Sequence, residues 1–242
     1  MLVKTHGLVL HTLKYSETSI VSRIFTRELG LQSYMVNGVR STKGNKAALF
    51  RPGNILELVS YFKREHKGLQ RLKDFNFGVV YQQLPFHIIK SSLALFIIEV
   101  LNKVLSEEDP NPELYDFIEG SFIGLDTTDV DLGTFHLRFL GMLAMQLGFH
   151  PGGKFEHNTP YFDLKEGLSY AQAPNHGNYL TPRQTAFFFN EHLNSPLDIT
   201  ERRSLLEKLL YFYTLHIDNF GEIRSWEILR EVLSAAASPP RP

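Results

Sequence analysis

Lysine and arginine are spread unevenly along this 242-residue chain. Lys14, Arg23, Arg27, Arg40, Lys43, Lys46, Arg51, Lys63, Arg64, Lys67, Arg71 and Lys73 all fall within the first 80 residues. That stretch holds 13 Lys/Arg against 5 Asp/Glu, the rest 12 against 21, within a net charge of −1. A basic segment joined to an acidic one points to a polyanion-binding part carried by a second part with other duties. Cations neutralise phosphates, and flat rings between them offer faces on which unstacked bases can lie. Tyr15, Tyr34, Phe50, Tyr61 and Phe62 are such rings, while Phe25, Phe62 and Phe75 also read as core. The predicted contact set is the loop group Arg40, Lys43, Lys46 and Arg51 with Lys14, Arg27 and Arg71. Contacts to phosphates fix position without reading bases, so sequence selectivity should be slight.

Other chemistry finds little support. The chain has no cysteine, which excludes disulfides, thiolate metal sites and a cysteine nucleophile, and fits a reducing cytosol. No nucleotide-binding glycine loop, nucleophile elbow or zinc-protease helix motif occurs. Gly152-Gly153-Lys154 lacks the spaced first glycine and the following Ser or Thr of a phosphate loop. Asp126, Asp129 and Asp131 read as caps and solvated turns between helices. The expectation is a protein without catalytic turnover. Residues 1–10 show no basic segment followed by a long apolar run, so no leader is expected. Residues 93–105 are too short and, with Glu99, Asn102 and Lys103, too polar to cross a bilayer.

The elements that must position the cations follow from periodicity. His6, Leu8, Leu10 and Thr12 alternate with Gly7, Val9, His11 and Leu13, and Ile20, Ser22, Ile24 and Thr26 with Val21, Arg23 and Phe25. Arg27-Glu28-Leu29-Gly30 makes a tight turn. Three further strands are expected over residues 31–39, 54–63 and 69–77, with residues 40–52 as the longest break. Five short strands predict a small barrel, although strand count alone leaves several barrel types open. After residue 80 the spacing changes to three and four, giving helices over 88–105, 113–123 and 132–147. Residues 148–180, rich in Gly, Pro, Asn and His, read as an irregular insert. Thr181-Pro182-Arg183-Gln184 is a capping box that starts a helix, and two more are expected over 199–217 and 225–236. The expected organisation is a β-module over 1–80, a helical domain over 81–237 and a disordered tail over 238–242.

Several strings within this frame resemble the RecO family of recombination mediators. They are Gly7-Leu8-Val9-Leu10-His11-Thr12 with Lys14-Tyr15-Ser16-Glu17-Thr18, then Phe25-Thr26-Arg27-Glu28-Leu29-Gly30, and Asn37-Gly38-Val39-Arg40 before the basic loop. Residues 69–73 and Phe139-Leu140 through Leu147-Gly148-Phe149 add looser likeness. The resemblance implies an α+β chain: an N-terminal five-stranded OB-fold barrel followed by an all-α helical domain. It implies a cytoplasmic protein that binds single- and double-stranded DNA, anneals complementary strands and, with RecR, helps load RecA on DNA coated by single-strand-binding protein (SSB). It also implies contact with the acidic SSB tail, for which Arg202, Arg203, Lys208 and Arg224 beside the apolar run 209–213 are the candidates. Many members carry a four-cysteine zinc site that would fall within 148–180. With no cysteine here, no cofactor is expected, and His150, His157 and His176 are the nearest substitutes. The alternatives are an RNA-binding OB module and a non-enzymatic protein adaptor.

Overall fold

A computed structural model describes residues 1–40, 46–63, 68–106, 109–191 and 195–237. Lys43 therefore lies outside the described residues. The first five strands, β1 (Leu2–Lys14), β2 (Ile20–Thr26), β3 (Gly30–Val36), β4 (Ile55–Tyr61) and β5 (Gln70–Phe77), close a barrel in the order β1-β2-β3-β5-β4. All neighbours are antiparallel except β3 and β5. Alternation decides which side chains fill it. Val9, Ile20, Ile24, Tyr34, Val36, Leu56 and Leu58 point inward, joined by Val39 and Phe50. Phe50 comes from a 3₁₀ turn (Lys46–Phe50), and its carbonyl accepts from Thr12 Oγ1 at 2.8 Å. Each large apolar side chain so buried contributes about 1.5–3 kcal/mol. Gly7 is required by close approach: a Cβ there would sit 2.6 Å from Ile24 Cγ2 and 3.0 Å from Leu58 Cδ1.

The chain divides into two compact units, one formed by residues 1–130 with 223–242 and the other by 131–222. The first holds the barrel, α1 (Ile88–Val104), α2 (Pro112–Thr127) and the last helix, Ser225–Ala237. Phe25 is buried, but on the barrel's outer side, where its ring lies 5.8 Å from that of Tyr115 on α2. Arg23 donates to the carbonyls of Asn102 and Leu105 at the end of α1, and Asn102 Nδ2 donates to the Leu10 carbonyl. The last helix packs along α1, where the Glu99 carboxylate accepts the Arg224 and Ser225 amides at 2.9 and 2.7 Å. That is an anion at a helix N-terminus, supplied from another helix.

The turn leading into α1 is held by a buried ionic group. Asp126 accepts the amides of Gln82, Gln83 and Leu84 at 2.9, 2.9 and 2.7 Å. Lys90 has no exposed surface; its Nζ donates to Gln83 Oε1 at 2.8 Å and to the Asp126 carbonyl at 2.9 Å, with Asp129 at 3.2 Å. Asp126 is thus a buried clamp rather than a solvated turn residue, while Asp129 remains exposed and reaches Lys90 from the surface.

The second unit contains α3 (Leu132–Gln146), α4 (Pro182–Phe188) and α5 (Ile199–His216), so the final helix of the chain is α6. The capping box at α4 is present in both directions, from Thr181 and from Gln184. Residues 148–180 are not wholly irregular. They carry β6 (Tyr161–Asp163), β7 (Leu168–Tyr170) and, ending at their edge, β8 (Tyr179–Leu180), in the order β7-β6-β8. Strands of two or three residues are too short to show a period. Phe162 of β6 packs with Phe149, Phe188 and Phe212 in one ring cluster. His136 on α3 is buried, which pushes its pKa down to about 3, with Arg202 adding in the same direction.

Candidate nucleic-acid interface

Backbone pairing gathers part of the predicted contact set at one rim of the barrel. Lys14 is paired with Ile20, and Ile20 with Val36, so Lys14 and the end of β3 share that rim. Beyond β3, the Arg40 amide donates to the Thr18 carbonyl at 3.2 Å, and its Nη1 donates to the carbonyls of Ser16 and Glu17, both at 3.3 Å. Those bonds pin the 15–19 loop, from which Tyr15 projects with 66% of its surface exposed. The Ala47 amide donates to the Val39 carbonyl, which brings Lys46 beside Arg40, and Lys46 Nζ lies 5.5 Å above the Phe75 ring. On β5, Arg71 is the partner of Met35. Lys14, Arg40, Lys46 and Arg71 are all exposed, and none has a carboxylate partner among the described residues. Such cations can exchange water for phosphate with little rearrangement.

The other two described members of the set stand apart. Arg51 is exposed in the turn before β4. In that turn Gly53, at φ +94°, lies where a Cβ would meet Ile98 of α1 at 3.1 Å. Arg27 sits at the opposite end of the β2–β3 hairpin. Its guanidinium binds Asp116 of α2 through two bonds of 2.7 and 2.9 Å and reaches Glu28 at 3.3 Å. The hydrogen bonds that Arg27 donates to Asp116 and then to Glu28 raise its pKa, and Arg27 in turn lowers that of Asp116. Nothing in a single sequence marks a partner 89 residues away.

Burial also sorts the rings. Tyr34 and Phe50 are inside the barrel, and burial pushes the Tyr34 hydroxyl up to about 12, so neither presents a face. Tyr15 and Tyr61 do, the latter with 48% exposure.

The candidates for the acidic tail fall in different units. Arg224 is exposed just before α6 in the first. In the second, Arg202 Nε donates to the Asp198 carbonyl, and its guanidinium lies against Gly133 of α3, leaving no room there for a Cβ. Lys208 Nζ donates to Gln184 Oε1 at 3.1 Å and lies 5.2 Å above the Tyr179 ring; burial lowers its pKa. Arg203 is exposed.

The histidines near the expected zinc position do not fit a metal. His150 Nδ1 lies 2.8 Å from the Pro151 carbonyl, and its ring packs on Phe188. His157 packs edge-on to Phe155. His176 accepts the Asn178 amide on Nδ1, so Nε2 carries the proton it donates to Asp163 at 2.9 Å. Asp163 also accepts the Lys165 and Glu166 amides. Among the described residues no three His, Asp or Glu converge as a metal site.

Two family profiles match the chain. One, described as recombination protein O N terminal, covers residues 1–77, and one described as recombination protein O C terminal covers 85–226. The DNA repair protein RecO of Flavobacterium psychrophilum is 34% identical over 97% of this chain and 100% of its own length. Those of Flavobacterium johnsoniae and Phocaeicola vulgatus are 34% and 32% identical over the same shares. The closed five-strand barrel followed by helices agrees with the two-part layout of these profiles.

Proposed function

The chain belongs to the recombination protein O family, whose role lies in DNA repair and recombination, and on that premise we propose that it is a mediator working by binding rather than by turnover. In this reading Lys14, Arg40 and Lys46 at the barrel rim, with Arg71 on the barrel wall, hold the phosphates of single- and double-stranded DNA. Held strands are anneal-ready, because neutralising two backbones removes the repulsion that keeps complementary strands apart. With RecR the protein helps load RecA on SSB-coated DNA in the cytoplasm, and the SSB tail docks through some of Arg202, Arg203, Lys208 and Arg224. No cofactor is required. No helix among the described residues is long and apolar enough to cross a membrane.

The observation that supports this reading is the gathering, by strand pairing and loop bonds, of exposed cations that have no carboxylate partner among the described residues, Lys14, Arg40 and Lys46 at one rim and Arg71 on the barrel wall beside Met35. Complementary oligonucleotides mixed with the protein, with and without SSB, should anneal faster than alone. Changing Lys14, Arg40 and Arg71 together to Glu should abolish binding at moderate salt and flatten the salt dependence. Each lost phosphate contact removes about 0.7 from the log–log slope on single strands. Unaltered affinity and slope would move the site elsewhere.

A further inference from the structure

A barrel strand with one face in the core is expected to turn polar residues to water. One row on the outside of this barrel does the reverse. Following the pairing from strand to strand, Leu13 lies opposite Val21, Val21 opposite Met35, Met35 opposite Arg71, Arg71 opposite Tyr61, and Tyr61 opposite Leu2. Directly paired residues project to the same side. Here that side is outward, because Tyr34, Ser22 and Ser60, which alternate with the row, are fully buried. The row therefore spirals around the barrel as five apolar or aromatic side chains and one arginine. Leu13, Tyr61 and Leu2 are 57%, 48% and 52% exposed.

Resting on the DNA-binding reading above, we propose that Met35 and Tyr61, on either side of Arg71 in this row, form a base-stacking track for single-stranded DNA, adding contacts to bases where the cations hold phosphates. Three features select that occupant. The row holds a flat ring and a polarisable thioether on either side of a guanidinium, so a base laid on Tyr61 has a cation beside it for its own phosphate. It begins where Lys14 and Arg40 gather, since Met35 is one residue from Val36, the rim position on β3. The nearby Glu57 is already engaged by Lys4 on β1. Of the neighbouring carboxylates on β4 and β5, only Asp74 stands without a described partner cation, and it is paired with Val59, two residues back from Tyr61. A duplex keeps its bases stacked on each other and gains nothing from such a track. A single strand does.

The test uses the full chain and two labelled strands of equal length, an oligothymidylate and an abasic oligomer that keeps the phosphates but has no bases. The wild type should bind the oligothymidylate more tightly. Tyr61→Ala should weaken that binding roughly 5- to 100-fold, as loss of one base–aromatic stack does. It should leave the abasic affinity and the salt slope unchanged. Tyr61→Trp should keep the preference, which guards against misfolding as the cause. Arg71→Ala should weaken both strands and lower the slope by about one contact, roughly 0.7. Equal wild-type affinity for the two strands, or equal loss on both from Tyr61→Ala, overturns the track and leaves the row to a protein partner. Failure of both strands to bind at low salt overturns the DNA-binding reading itself, a different result.

Discussion

Replacing Asp126 by Ala should be among the most damaging single changes in the first unit. The carboxylate accepts three amides, those of Gln82, Gln83 and Leu84, and it is only 5% exposed. Burial alone raises its pKa, but the three amides and Lys90 more than offset this, so its net pKa lies below the usual carboxylate range. The Leu84 bond is buried and the other two are partly so. An unsatisfied buried amide costs about 1–3 kcal/mol, and a partly exposed one less because water can replace the partner. Lys90 loses one nearby negative charge but keeps Asp129 at 3.2 Å and the main-chain carbonyl of residue 126, so its share of the loss is small. Together these give a loss of about 2–4 kcal/mol. Asp126→Asn keeps one acceptor and should lose roughly half as much. The assay is built into the chain. Trp226 is the sole tryptophan and lies on α6, so its fluorescence in urea reports the unit that contains Asp126. A loss below about 1 kcal/mol for Asp126→Ala would show that the 82–84 turn does not depend on this carboxylate. The pH dependence has a fixed sign. A carboxylate with a lowered native pKa gives stability that is complete above its unfolded value near 4 and is lost as pH falls through the native one.

Other expectations follow from the same geometry. His136, held near 3 by burial, cannot take up the proton that an unfolded histidine binds below about 6.5. Its contribution is complete above that pH and is lost on acidification, with a limiting slope of about 1.4 kcal/mol per pH unit. His216, also lowered by burial, adds in the same direction. Melting followed by circular dichroism at pH 7 and pH 5 should show a drop that His136→Gln reduces; an unchanged drop would refute this account. Gly7→Ala must displace Ile24 or Leu58 and should cost about 1–3 kcal/mol, read as a lower urea midpoint. Arg27→Gln should leave oligonucleotide affinity and salt slope unaltered, because that guanidinium is committed to Asp116; a weakened complex would return Arg27 to the interface.

Much of the barrel was legible because its strands alternate over seven or more residues, long enough for a period of two to show. The α4 start was legible because Thr181, Pro182 and Gln184 satisfy a local rule that needs no tertiary partner. What stayed hidden depends on distant pairs. Lys90 shares the helical spacing of Leu93, Ala94 and Ile97, which places it on the buried face, but a lysine there reads as surface until Gln83 and Asp126 are seen around it. The candidate interface was half visible. Charge counting found its cations, yet only pairing separates Arg71, beside Met35, from Arg27, beside Asp116. The outward row from Leu13 to Leu2 has no signature along the chain, since its members come from five strands.

The placement of α6 has a consequence for how the molecule is made. The unit that carries the barrel is interrupted in sequence by 131–222 and resumes at Ile223. During synthesis the barrel leaves the ribosome early, but the helix that lies along α1 and receives Glu99 at its start is translated after everything else described. The α6 side of α1 has no cover from this helix until the segment after residue 222 has been made. A chain stopped at residue 222 would possess every cation of the rim and still lack the last support of the scaffold that presents them. The packing around α1 therefore depends on a segment made after the second unit.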